Sequence, residues 1–183
     1  MKTWIFWLSL VGLAMARPAD TRLRLSEGVR GGFAPSPPTF EMLIVPASQG
    51  KGFDLYYKRL KNSKYQAYHK LLPDLAPLEK DLARSGLFQL PQAAPNELDD
   101  IYRSETALEV RTSEQNWTHR PPVGCVRGQA KVQPTQAQIQ TFRSAAERVK
   151  QLAQGGQPCA VEEMTRAEID SRKTQGLAPK PID

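Results

Sequence analysis

Phe53-Asp54-Leu55-Tyr56-Tyr57-Lys58, followed by Lys61-Asn62-Ser63-Lys64 and then Tyr65 through Leu71, is the stretch on which the fold turns. Phe53, Leu55 and Tyr57 alternate with Asp54, Tyr56 and Lys58, the two-residue period of a half-buried strand. Lys61 to Lys64 supplies turn chemistry, so Tyr65 to Leu71 is predicted to return as the partner strand. Upstream, Phe40 to Val45 reads as a strand stopped by Pro46, and Gln49-Gly50-Lys51-Gly52 as the turn that follows it. Downstream, Pro73-Asp74 opens a helix whose Leu75, Leu78, Leu82 and Ala83 form an apolar stripe. Gly86 ends that helix, with Leu87, Phe88 and Leu90 packing beyond it.

The second half has the same plan. Asn96 to Asp100 is an acidic loop, Ile101-Tyr102 and Leu108 to Val110 read as strand, and Ser113 to Asn116 as a turn. Trp117 to His119 returns and is halted by Pro121-Pro122. A helix from about Thr135 to Gln154 carries Ile139, Phe142, Ala145, Ala146, Val149, Leu152 and Ala153 on one face, with Thr135 as N-cap and Gly155-Gly156 as stop. The expected fold is α+β: two β-hairpin–helix units forming a mostly antiparallel sheet, with two helices packed on one face.

The ends read differently. Met1-Lys2, the uncharged apolar run Thr3 to Leu13 and Ala14-Met15-Ala16 have the form of an export signal over residues 1–16. No second apolar run reaches the length of a membrane span. Of 25 Lys+Arg and 19 Asp+Glu, cleavage after Ala16 removes only Lys2, so a mildly basic chain is expected in a secreted or periplasmic location. Residues 17–39, with Pro18, Pro35, Pro37, Pro38, Gly31-Gly32 and Arg17, Arg22, Arg24 and Arg30, read as a flexible basic arm ahead of a single domain over 40–159. Ala160 to Arg172 reads as a short helix with Val161, Met164 and Ile169 on one side, and the chain beyond it to residue 183 as a tail. Cys125 and Cys159 are the only cysteines and bracket the last helix of that domain; an oxidising compartment would join them in one disulfide, which contributes about 3–4 kcal/mol at this spacing.

The chain carries no nucleophile elbow, zinc-protease helix, phosphate loop or dinucleotide turn. His69 and His119 are its only histidines and together with a lysine could cleave RNA as a secreted ribonuclease-like enzyme, though solvent-facing histidines are the plainer reading. Glu97, Asp99 and Asp100 lack the spacing of a calcium loop, so no metal, no cofactor and no catalytic residue are expected. Lys51, Lys58, Arg59, Lys61, Lys64 and Lys70 interleave with Tyr56, Tyr57, Tyr65 and Tyr68, and a hairpin presenting them together would suit an anionic polymer. Edge lysines that prevent sheet-to-sheet association explain the same residues. Asn116-Trp117-Thr118 is an N-glycosylation acceptor wherever the source makes such glycans.

One arrangement is more specific. A helix ending in Leu82 to Phe88 with Leu90-Pro91, then the acidic loop, Tyr102, the Leu108-Glu109-Val110 strand and a Pro-led helix with Phe142 and Leu152, resembles the emfourin family of small bacterial metallopeptidase inhibitors over residues 40–154. The resemblance implies an α+β domain that blocks a peptidase with a loop and performs no chemistry. The family's Ser-Gly-Gly element is matched loosely by Ser48-Gln49-Gly50-Lys51-Gly52, and the cysteines and both ends of the chain lie outside the pattern. The expectation is therefore an exported, non-enzymatic binding module whose partner is an extracellular or periplasmic protein, a peptidase in its concrete version. The loop Ser48 to Gly52 and the adjoining Tyr56, Lys58, Lys61 and Lys64 would meet it.

Overall fold

The alternation from Phe53 onward builds two nine-residue strands, β3 (Phe53–Lys61) and β4 (Lys64–Leu72). Their turn places Asn62 at φ 49° and Ser63 at φ 61°, the left-handed pair that matches the twist of a tight hairpin, and Lys61 faces Lys64 across it. The computed structural model describes residues 21–28, 37–47, 51–92, 100–121 and 132–174. The export signal, Ser48, Gln49, Gly50, Glu97, Asp99, Cys125 and the last nine residues lie outside that set.

Five further strands join the hairpin: β1 (Arg22–Glu27), β2 (Phe40–Pro46), β5 (Thr106–Arg111), β6 (Asn116–His119) and β7 (Gln157–Cys159). They form one seven-stranded antiparallel sheet in the order β6-β5-β1-β2-β3-β4-β7. The fold is α+β, as expected, with three corrections.

First, the basic arm over 17–39 contains an interior strand. In β1, Arg22, Arg24 and Ser26 alternate with Leu23 and Leu25, and the strand bonds β2 on one side and β5 on the other. Four prolines and four arginines obscure a short period-two signal, because here the charged positions are paired with carboxylates, Arg24 with Glu41 and both Arg22 and Arg24 with Glu168. Second, Ile101-Tyr102 is buried turn rather than strand, and β5 begins at Thr106. Third, among the described residues there are three α-helices, α1 (Ala76–Arg84), α2 (Gln136–Gln151) and α3 (Val161–Thr174), and they occupy both faces.

The inner face carries the main core. Leu23, Leu25, Met42, Ile44, Leu55, Leu108 and Val110 of the sheet meet Leu75 and Leu82 at α1 and Phe142, Ala145 and Val149 of α2. Each large apolar side chain buried there contributes about 1.5–3 kcal/mol. Tyr102, Trp117 and Phe142 pack together at the β6 end, with ring centroids 4.5 to 6.0 Å apart. Trp117 Nε1 donates to Leu90 O at 3.1 Å, which pins the segment after α1 to the sheet. Met164 and Ala167 of α3 pack on Leu43, Val45 and Tyr56 of the outer face.

Cys125, the expected disulfide partner of Cys159, lies outside the described residues; among the described residues no disulfide is at bonding distance, and Cys159 is a partly buried free thiol on β7. Its three-residue edge strand lies opposite Ala67 to His69 of β4.

Candidate functional site

Pro46 and Phe53 are cross-strand partners, and Ala47 to Gly52 is the connection between β2 and β3. Ala47 N donates to Gly52 O at 3.1 Å and closes its base. Gly52 sits at φ 79°, and a Cβ built there would run into the Leu72 carbonyl oxygen. Only glycine meets both conditions. Gly52 is therefore an anchor of the loop, and Lys51 beside it is exposed. The connection leaves the same end of the sheet as the Thr112 to Gln115 turn, because the C-terminal ends of β2 and β5 both lie there.

The Lys/Tyr surface is dispersed. Lys58 forms an ion pair with Glu41 and lies 4.6 Å from the Tyr65 ring centroid. Arg59 donates to Ala153 O at 3.1 Å and covers Phe40 and Tyr57. Lys70 donates to Gln154 O at 3.2 Å. Tyr57 and Tyr68 stack at 4.9 Å on the inner face, where the Gly156 amide approaches Tyr57 Oη. Tyr56 points the other way, toward α3. Lys51 and Lys61 lie at opposite ends of β3, about 33 Å apart at ordinary strand rise. Lys61 and Lys64 remain exposed at the hairpin tip.

The two histidines are kept apart. His69 Nε2 lies 2.8 Å from Asp54 Oδ1 on the outer face, with its ring 4.7 Å from Tyr56. His119, 1% exposed, lies on the inner face with Nε2 3.1 Å from Asp100 Oδ1 and Tyr102 and Phe142 set edge-on to its ring. Five strand spacings, about 24 Å, and the thickness of the sheet separate the pair. A shared acid–base mechanism on RNA is incompatible with that placement.

Asp100 also accepts from the Ser104 and Glu105 amides, each at 2.8 Å. Burial alone would raise its pKa, but the hydrogen bonds from His119 and those amides outweigh burial and hold it below the usual carboxylate range. This carboxylate shapes its loop. Among the described residues no group of three or more His, Cys, Asp or Glu side chains converges as a metal site would require. Burial, and then the Glu163 charge, raise the Cys159 thiol, so it is a poor nucleophile at neutral pH. Asn116 is exposed at the start of β6.

Sequence reasoning missed an ion-pair network on the outer face. Arg22, only 2% exposed, and Arg24 reach Glu168 of α3, and Arg24 and Lys58 share Glu41. Glu109 receives Arg120 at 2.5 Å. The alternation Arg22-Leu23-Arg24-Leu25 was the available signal. Among the described residues no helix is long and apolar enough to cross a membrane. The chain matches no protein-family model, no curated protein and no solved structure.

Proposed function

We propose that the chain is an exported, non-enzymatic binding module that inhibits an extracellular or envelope peptidase through the connection Ala47 to Gly52. The observation that carries this reading is the anchoring of that loop. It springs from a closed strand pair, its base is bonded from Ala47 to Gly52, and Gly52 packs against the backbone after β4. A short loop held at both ends by a rigid sheet enters a cleft with little ordering cost, which is how tight inhibitors gain affinity. The emfourin-like pattern of the sequence supports a metallopeptidase as the target. The separated histidines, the carboxylates engaged in ion pairs and backbone hydrogen bonds, and the unactivated thiol support a role without chemistry.

The anchor defines how the loop is tested. A Gly52 substitution disturbs the backbone around Leu72, so it reports folding rather than recognition. Replacing Ser48, Gln49 and Lys51 together by alanine leaves Gly50 and Gly52 in place. The full chain is expected to inhibit at least one member of a panel of purified metallopeptidases, and the triple variant to weaken that inhibition at least about tenfold, a loss of about 1.4 kcal/mol. Equal inhibition by both proteins would rule the loop out.

A further inference from the structure

We infer that Leu71 is the apolar anchor of the inhibitory surface, entering an apolar pocket beside the peptidase cleft that receives Ala47 to Gly52. This role rests on the peptidase reading and extends it from one loop to a two-part contact. Leu71 is 58% exposed and is the only large apolar side chain left exposed among the described residues. A lone exposed leucine is ordinary on a protein surface, and it is the position of this one that gives it meaning. β7 pairs β4 only from Ala67 to His69, and α3 packs on Leu43, Val45 and Tyr56, so neither covers Leu71.

Leu71 stands at the foot of the loop. It faces Asp54 across the β3–β4 pair, and Leu72 beside it faces Phe53, the residue that follows Gly52. Gly52 packs so closely on the Leu72 carbonyl that a Cβ there would come within 2.3 Å of its oxygen. The end of the loop and the backbone of Leu71 are therefore held together, and the side chain keeps a fixed offset from Lys51. His69 and Asp54 share the outer face with Leu71 and are joined at 2.8 Å, which gives the leucine a polar border on its sheet side. Lys51 is exposed on the loop side. An apolar side chain with a polar border has the make-up of an interface core and rim. Its place on a paired strand removes part of the ordering cost of binding. The hairpin tip with Lys61 and Lys64 lies at the other end of β3, too far along the strand to share the contact.

Full chains carrying Leu71→Ala, Leu71→Met, or Lys61→Ala with Lys64→Ala are each titrated beside wild type against the panel of purified metallopeptidases. Against a susceptible enzyme, Leu71→Ala is expected to weaken inhibition about tenfold, because the pocket then buries less apolar surface. Leu71→Met keeps the apolar volume and should stay within about threefold of wild type. The Lys61/Lys64 variant should inhibit as wild type does. Urea unfolding of Leu71→Ala should match wild type, since the side chain is largely in water, and this separates recognition from folding. Unchanged inhibition by Leu71→Ala, an equal loss in Leu71→Met or in the Lys61/Lys64 variant, or a loss that tracks a lowered unfolding midpoint would overturn the anchor and leave the loop standing. Failure of the wild-type chain to inhibit any enzyme of the panel would overturn loop and anchor together.

Discussion

His119 shows how a polar side chain is kept inside the core. Its Nε2 faces Asp100 at 3.1 Å, and the Asp100 carboxylate ties down the Ser104 and Glu105 amides on its other oxygen. Asp100→Asn is expected to cost about 1.5–3 kcal/mol of unfolding free energy, because it weakens charged hydrogen bonds to a buried ring and two amides. The pH dependence follows from the depressed folded pKa of Asp100. Its stabilising contribution is fully present above the ordinary carboxylate value, about 4, and is lost as pH falls through the lower folded value. Glu109, held low by Arg120 and by Arg22 and Arg24 against the opposing effect of burial, acts in the same direction. Urea unfolding followed from pH 6 to pH 2 should show this decline in wild type and a shallower one in Asp100→Asn; parallel curves would remove Asp100 from the account. The histidines themselves were legible in the sequence, but their partners were not. Asp54 and Asp100 lie 15 and 19 residues from His69 and His119 and meet them only through the fold.

Among the elements, those that declare themselves locally were the ones read correctly. Thr135 caps α2 by accepting from Gln138 N, and Gln138 returns a side-chain bond to the Thr135 amide. Thr135→Ala should therefore cost about 1 kcal/mol in thermal or urea unfolding, and no measurable change would show that packing alone holds the end of α2. Gly86, at φ 81°, ends the α1 turn where the sequence places the stop. β7 was illegible because three residues including Pro158 give no period, and it exists only because β4 offers an edge. Pro158 also blunts that edge, while Gln92 Oε1 receives Thr118 N at the other, so strand addition at either end of the sheet is disfavoured. The side chains of α3 were legible in part. Met164 was placed on its packing side, and the sheet face that receives it was not.

For the whole molecule, the decisive element is β1. The two hairpin–helix units predicted from the sequence exist, as β3–β4 with α1 and β5–β6 with α2, but they are not direct neighbours in the sheet. β1 and β2 lie between them and join them into one core. A chain that begins at residue 17 should unfold as cooperatively as one that retains residues 1–16. One that begins at residue 29 lacks β1 and should lose its single cooperative transition, because β5 and β2 then have no common partner. Retention of wild-type unfolding by the shorter chain would restore the flexible-arm reading. The functional account rests on a rigid sheet presenting a closed loop to a peptidase, and a titration of peptidase by the full chain tests it most directly. Activity of a susceptible metallopeptidase should fall linearly to an equivalence point near one chain per enzyme, and mass spectrometry should find the chain intact afterwards. Undiminished activity throughout the panel, or steady cleavage of the chain within Ala47 to Gly52 while activity persists, would contradict the account.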